Sequence, residues 1–404
     1  MRALALFIAL LGGVLAQDPP ATEASEHWPP GHVIDQAAAR TALDAMRATW
    51  SDAATWTARR KRIRTHVLKT FLLDPPPART PLEMVVHSTV EHRVDEKGGY
   101  RRSNVFFESF PGLFVAGNLY EPLGREGPLP VVACPHGHMG RSEGDAEGRM
   151  HSSYQTLCAT LARMGAIVIT WDMVGWAESS QMQHGVPMSG AIQTWNTMRA
   201  IDAALTRPGA DPSRIGCTGS SGGGTQTFLG ALADDRIVAC APVVMVSAHW
   251  FGGCGCESGL PIHAGPGFVT NNVEFAACAA PRPQLLVSVG GDWTCNTATV
   301  EQPYLADVYE ALGAADDVHN VHLESEQHDY GPSKRAPVVR FLARELGLDL
   351  ACVTRPDGSI DESFVRIAER PALLAFTDEH PMPERALQGT DAVVARWVSL
   401  EREP

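Results

Sequence analysis

The segment with the clearest chemical pattern is GSSGG at residues 219–223. It lies between an apolar, strand-like run and a helix-forming run, which is the context that the G-x-S-x-G pattern of nucleophilic serines requires. Glycine flanks such a serine because the tight turn leaves no space for a Cβ atom. No lysine follows at 224–226, so a phosphate-binding loop is disfavoured. We predict Ser221 as a nucleophile for acyl transfer, with the backbone N–H of Gly222 as an oxyanion donor at a helix N-terminus.

A serine hydroxyl needs a base, and the base needs a carboxylate to orient it. Asp292 follows a predicted strand at 285–289, and His328 follows a predicted strand at 318–323. Ligand-facing loops leave the carboxyl ends of parallel strands, so both residues stand where a site is expected. We predict the triad Ser221, Asp292 and His328. A turn or cap role for Asp292 and a surface role for His328 remain open, and the rival acids are Asp329, Glu326 and Glu257.

A second oxyanion donor is expected from the PHGHMG loop at residues 135–140, near the backbone N–H of His138. His136 and His138, one residue apart, also suggest a metal, but no third ligand stands at an obvious spacing. The single-residue spacer of Cys254-Gly255-Cys256 differs from the two-residue spacer that zinc sites favour. We therefore predict no metal and no cofactor.

The segment at 247–272 has no clear periodicity, and loops of this length are usually functional lids or binding walls. Three aromatic side chains lie in or near it: Trp250, Phe251 and Trp293. They are candidates for stacking on sugar rings, with plain packing as the alternative.

Strands and helices alternate through most of the chain, which predicts an α/β fold whose parallel sheet is covered on both faces. Strands are predicted at 84–92, 100–107, 113–120, 129–134, 166–172, 215–218, 238–244, 285–289 and 318–323. Helices are predicted within 35–72 and at 154–164, 192–205, 222–232, 304–312 and 338–346. The first three strands form an antiparallel N-terminal edge.

The N-terminus predicts secretion, either to the periplasm or out of the cell. Arg2 precedes an apolar run at 3–15, and small residues favour cleavage before Gln17. We expect a signal peptide at 1–16, a lead-in with helices at 17–79, a catalytic domain at 80–349 and a C-terminal extension packed on it at 350–404. No other run is long enough for a membrane anchor.

The formal net charge of -13 argues against a nucleic-acid partner, because such partners select basic surfaces. The nine cysteines leave at least one thiol unpaired within the chain. Those in apolar runs are expected to be buried and free: Cys134, Cys217 and Cys240. Those in or near loops are better disulfide candidates: Cys254, Cys256, Cys278 and Cys295.

The chain resembles bacterial α/β-hydrolases grouped near acetyl xylan esterases and dienelactone hydrolases, over most of residues 80–345. The segments that carry the resemblance are PHGH, WDMVGW, QTWNTMRAID, GSSGGGTQTFL, PVVMVSAHWFGGCGCESG, TNNVE, GGDWTCNT and QHDYGPSKR, with FTDEHPMPERAL in the tail. The resemblance implies a carboxylic-ester hydrolase for small-molecule or polysaccharide esters, with Ser221, Asp292 and His328 as triad. Related glucuronoyl methylesterases have arginine directly after the nucleophile, whereas this chain has Gly222, which favours acetyl esters over methyl esters.

Three other functions compete with this interpretation. A serine peptidase could use the same triad, although the 80 N-terminal residues are too short for the propeller of prolyl oligopeptidases. A non-catalytic, glycan-binding hydrolase fold would normally lack a triad member, and none is missing here. A structural cell-surface role has no anchor or repeat to support it.

Overall fold

The computed structural model describes residues 33–96, 98–139 and 147–402. The predicted signal peptide at 1–16 lies outside these residues. No helix in the described ranges is long and apolar enough to cross a membrane.

The described strands form one large sheet of nine strands in the order β1-β2-β3-β5-β4-β6-β7-β10-β11, and a separate small pair, β8-β9. Their bounds are β1 Val85–Asp95, β2 Gly98–Phe110, β3 Leu113–Leu123, β4 Leu129–Ala133, β5 Ile167–Trp171, β6 Ala210–Ser220, β7 Ile237–Val243, β8 Ala264–Gly265, β9 Phe268–Val269, β10 Gln284–Val289 and β11 Val318–Leu323. Pairing is antiparallel from β1 to β5 and parallel from β5 to β11. The predicted sheet, mostly parallel with an antiparallel N-terminal edge, is confirmed.

Helices cover both faces of the sheet. Their bounds are α1 Gln36–Arg47, α2 Ala53–Thr70, α3 Ser152–Arg163, α4 Ser189–Leu205, α5 Gly222–Ala233, α6 Gly255–Ser258, α7 Asn272–Ala277, α8 Glu301–Ala311, α9 Pro332–Leu346 and α10 Thr390–Ser399. Leu157 of α3 and Leu342 of α9 belong to one buried apolar cluster, whereas Ile201 of α4 and Ala231 of α5 belong to another. Both faces of the central strands are therefore removed from water, as parallel sheets require.

The two N-terminal helices belong to the main core. Asp35 and Asp52 cap α1 and α2 by accepting hydrogen bonds from backbone N–H groups in the first turn. Trp50 and Trp56 are buried, and each packs edge-on against Tyr304 of α8. The N-terminal segment therefore contributes packing energy to the domain that carries the sheet.

The C-terminal segment packs into the same core. Trp397 of α10 is fully buried between Phe110 and Trp195. Farther upstream, the carbonyl of Ala375 receives a hydrogen bond from Nε2 of His87 on β1, at 2.9 Å. The extension is held along its length by contacts with the antiparallel edge and α4.

Candidate active site

Ser221 lies on the sharp turn between β6 and α5. Its φ of 57° and ψ of −126° place it in a sparsely populated region of backbone space, which costs on the order of 1–3 kcal/mol. A Cβ atom added at either Gly219 or Gly223 would lie 2.2 Å from the carbonyl oxygen of Pro135. The glycines therefore allow the strand, the helix and the neighbouring loop to approach closely enough to form this turn, and Gly222 begins α5 directly after the serine.

Asp292 and His328 meet at the carboxyl ends of β10 and β11. Oδ2 of the buried Asp292 accepts a 2.7 Å hydrogen bond from Nδ1 of His328. Its Oδ1 accepts hydrogen bonds from both the backbone N–H and the hydroxyl of Thr294, each at 2.6 Å. Because an ionised carboxylate only accepts, this contact places the proton of the neutral imidazole on Nδ1 and leaves the lone pair on Nε2. The arrangement prepares His328 to receive a proton.

Ser221 and His328 line a cavity of about 350 Å³. His138, Met139 and Tyr330 also line it. The structure thus brings the predicted nucleophile, the predicted base and the predicted oxyanion loop to one cavity. Asp292 lies behind His328, buried from solvent.

The rival acids have other partners. Glu326 and Asp329 both accept hydrogen bonds from Nζ of Lys334, at 2.7 and 2.9 Å. Oε1 of Glu257 accepts from the hydroxyl of Thr225 at 2.8 Å, and burial raises the pKa of this carboxyl. Among these four acids, the geometry favours Asp292 as the partner of His328.

The buried hydroxyl of Tyr154 joins the serine turn to the His-Gly loop. It accepts hydrogen bonds from the backbone N–H of Gly137 at 3.0 Å and of Ser220 at 3.1 Å. It also lies 3.1 Å from the hydroxyl of Ser220, to which it can donate. Burial raises the pKa of Tyr154 to about 12, so the hydroxyl keeps its proton at neutral pH. Sequence reasoning missed this residue, because a tyrosine in a helix carries no motif.

The two histidines of the predicted oxyanion loop have different environments. His136 is buried, with Nδ1 2.8 Å from the carbonyl oxygen of Gly137 and Nε2 2.9 Å from the backbone nitrogen of Met173. Burial lowers the pKa of His136 to about 3. The N–H of Met173 donates to Nε2, so the ring is neutral with its proton on Nδ1. It serves to fix the loop, and both of its nitrogens are engaged.

The imidazole of His138, in contrast, meets a second histidine and two cysteines. Its Nε2 is 2.7 Å from Nε2 of His184, 3.3 Å from Sγ of Cys256 and 3.5 Å from Sγ of Cys254. Cys254 and Cys256 are paired as a disulfide. The other two loop candidates, Cys278 and Cys295, are free thiols, which corrects that part of the disulfide prediction. Sequence reasoning found no third donor beside the histidines, since His184 lies 46 residues beyond His138.

The three aromatic side chains that were candidates for stacking on sugar rings are largely buried. Trp250, Trp293 and Phe251 expose 1%, 6% and 7% of their surface. Trp250 stacks on Trp293 with ring centroids 4.6 Å apart, and Trp293 packs against His328 at 4.4 Å. Phe251 stacks on His263. In this arrangement the two tryptophans support the position of His328, and little of their surface is open to a sugar.

A solved structure named methylesterase BT1017 matches 90% of this chain and 79% of its own, with 36% sequence identity and a TM-score of 0.80. The chain belongs to the α/β-hydrolase family of this methylesterase. The chain is also similar to YtaP of Bacillus subtilis (strain 168), whose name says only that it is a hydrolase. The two are 26% identical over 59% of this chain and 84% of the relative. No protein-family model matches.

A more distant structure shares the fold of the hydrolase. It is a glucuronoyl esterase from Teredinibacter turnerae T7901, with 16% identity, 84% of this chain and 98% of its own covered, and a TM-score of 0.59. At this identity the similarity supports the α/β-hydrolase architecture, which was predicted from the sequence and is confirmed.

Proposed function

We propose that this chain is a secreted serine esterase that works through an acyl-enzyme. The observation that carries the proposal is the 2.7 Å contact between Asp292 and His328 beside a cavity that Ser221 also lines. In the mechanism, Nε2 of His328 takes the proton of Ser221, whose oxygen attacks the ester carbonyl. The protonated alcohol leaves, and water then releases the acid by the same steps.

The oxyanion of the tetrahedral intermediate would be stabilised at the start of α5. The first N–H groups of a helix have no partner within the helix, and the helix dipole favours negative charge there. The N–H of Gly222 and a backbone N–H near His138 are the proposed donors. Gly137 packs closely against the serine turn: a Cβ atom added to it would lie 2.8 Å from the Cβ of Ser221.

We infer that the substrate is a methyl ester, because the relative with 36% identity is named a methylesterase. A carbohydrate acid is the proposed acyl part because the sequence resembles esterases that act on carbohydrates. An acetylated carbohydrate is the second candidate. It is favoured by Gly222, since glucuronoyl methylesterases have arginine at that position. An arginine at position 222 would meet the imidazole of His138, whose Cε1 would lie 2.9 Å from an added Cβ. Packing therefore accounts for the glycine, and the lack of arginine does not by itself argue against a methyl ester.

The test uses the chain without residues 1–16 and its Ser221→Ala variant. Methanol release from methyl-esterified uronic acids and acetate release from acetylated xylan are measured side by side. The proposal expects methanol release by the parent protein and a loss of at least a thousandfold in the variant. Release of acetate without methanol would contradict the methyl ester and favour the acetylated carbohydrate as substrate. Equal rates in parent and variant would overturn the serine mechanism. N-terminal sequencing of the exported protein tests cleavage before Gln17.

A further inference from the structure

We propose that His138, His184, Cys254 and Cys256 form a zinc site beside the oxyanion loop. Their four donor atoms all lie within 4.8 Å of one another. Two imidazole nitrogens and two thiolates are a donor set that selects zinc in tetrahedral geometry. The ligands come from three separate parts of the chain: the loop after β4, the segment after β5 and the insert between β7 and β10.

The sulfur–nitrogen distances suit zinc with small adjustments, whereas the bond between the two sulfurs must be absent and the sulfurs must move apart to bind the ion. With Zn–S near 2.3 Å and Zn–N near 2.0–2.1 Å, a tetrahedral ion holds sulfur and nitrogen ligands about 3.5 Å apart. Three of the four sulfur–nitrogen pairs are 3.3 Å (Cys256 and His138), 3.5 Å (Cys254 and His138) and 3.6 Å (Cys254 and His184) apart, and the fourth is within 4.8 Å. The two Nε2 atoms, 2.7 Å apart, would separate to about 3.3 Å around the ion.

The surroundings of these side chains resemble those of metal ligands. Nδ1 of His184 lies 2.6 Å from the carbonyl oxygen of Val174 and donates to it, which directs the lone pair of Nε2 into the cluster. Metal-bound histidines usually make this second contact. The backbone N–H of Cys256 donates to Sγ of Cys254 at 3.3 Å, a bond that would stabilise a thiolate. The ring of Trp176 packs edge-on against both imidazoles, 5.7 Å away in each contact.

The disulfide between Cys254 and Cys256 is the competing state of the same atoms. It closes a loop of only three residues, so it removes little conformational freedom from the unfolded chain. It also leaves unexplained why two histidines from distant segments direct Nε2 at the same two sulfurs. Zinc binding needs no redox step, since the chain is made with two thiols that lose their protons to solvent when the metal binds.

Four protein ligands leave no open position, so the zinc would hold loops in place and would not activate water. Two thiolates also cancel the charge of the ion, so the site supplies geometry and no net positive charge. Binding through Nε2 would keep the proton of His138 on Nδ1, the ring nitrogen 3.1 Å from an added Cβ on Gly222. The site would thereby fix the oxyanion loop against the residue after the nucleophile.

The experiment measures zinc by plasma mass spectrometry in protein produced with zinc and purified under reducing conditions. We expect about one zinc per chain in the parent, and less than a tenth of that in Cys256→Ser and His184→Ala. Cys352→Ser is the matched control, because Cys352 is not part of the four-residue cluster and its thiol donates to the carbonyl of Asp349. This control should keep its zinc. Replacement by Co²⁺ should give the visible bands of a tetrahedral ion with sulfur ligands.

Alkylation of denatured parent protein from a second preparation, purified without reductant, distinguishes the two states of the cysteines. If zinc binds, Cys254 and Cys256 react with iodoacetamide after chelation without any reductant. Zinc-free protein in which the pair resists alkylation until reduced would overturn the proposal, as would zinc retained in both variants. The proposed function is tested separately, because Ser221→Ala should lose activity and keep its zinc.

Discussion

The imidazole of His138 lies directly against Gly222, the residue that follows the proposed nucleophile Ser221. An added Cβ at position 222 would lie 2.9 Å from Cε1 of His138 and 3.7 Å from Oε1 of Glu257. The first distance is shorter than the Cβ contacts found in proteins. A side chain at this position would therefore require the histidine that packs on it to move. The same contact brings the loop of His138 close to the start of α5.

Gly222→Ala should displace His138 and lower kcat/KM by at least tenfold, measured on the ester that the parent hydrolyses best. Gly230→Ala, in the same helix, is the matched control, because its added Cβ would meet two side-chain methyl groups, Cγ2 of Thr197 at 3.2 Å and Cδ1 of Ile237 at 3.5 Å. Alanine also has a higher helix propensity than glycine, so this control should not weaken the helix. Wild-type kcat/KM in Gly222→Ala would show that the packing of His138 does not matter.

Asp292→Asn should reduce kcat by about a thousandfold to ten-thousandfold, because the amide favours the wrong imidazole tautomer of His328. Circular dichroism should show an unchanged fold. Asp329→Asn is the control, since Asp329 accepts a hydrogen bond from Lys334 and should leave kcat within a few-fold. The opposite ranking of the two variants would transfer the role of the acid to Asp329.

Tyr154→Phe should lower both stability and turnover. The change leaves the buried N–H groups of Gly137 and Ser220 without the acceptor that joins them, at a cost of about 2–4 kcal/mol in the free energy of unfolding. Urea denaturation measures this cost, with Tyr330→Phe as control because that hydroxyl is hydrogen-bonded to the hydroxyl of Thr218, at 3.3 Å, and joins no backbone N–H groups among the described residues. Equal losses in the two variants would mean that the link through Tyr154 contributes nothing special.

Glu301→Gln should stabilise the protein at pH 8 and have little effect at pH 5. Burial raises the pKa of Glu301 to about 7 from an unfolded value of 4.5, so the folded chain holds a proton that the unfolded chain releases between these values. Stability therefore falls as pH rises through this window, by roughly 3 kcal/mol when complete. Gln removes the penalty and can still accept from the N–H of Ala248.

Thermal unfolding at the two pH values measures this effect. Glu310→Gln, an exposed change on the same helix, should alter the melting temperature at neither pH. A stabilisation by Glu301→Gln that is equal at pH 5 and pH 8 would contradict the titration of this carboxyl.

Local patterns were enough to predict the fold and the order of the candidate triad. The glycines that form the turn at Ser221 are its near neighbours in the sequence. Asp292 and His328 each follow a strand that a short apolar run predicts. Strand ends align in a parallel sheet, so position along the chain implied proximity in space.

Contacts between distant segments could not be predicted in this way. His184 approaches His138 only because the segments after β4 and β5 leave adjacent strands, and the cysteines arrive from an insert without periodicity. The role of Tyr154 depends on where one hydroxyl lies in three dimensions. The burial of Trp250 likewise follows from its stacking on Trp293, which no local pattern encodes.

The most direct test of the central claim is labelling with a fluorophosphonate, which reacts with activated serines, followed by peptide mass spectrometry. We predict one covalent adduct per chain on the peptide that contains Ser221. We predict none in Ser221→Ala and at least a hundredfold slower labelling in His328→Ala. An active parent protein that forms no adduct, or forms it on another residue, would contradict the assignment of Ser221 as the nucleophile.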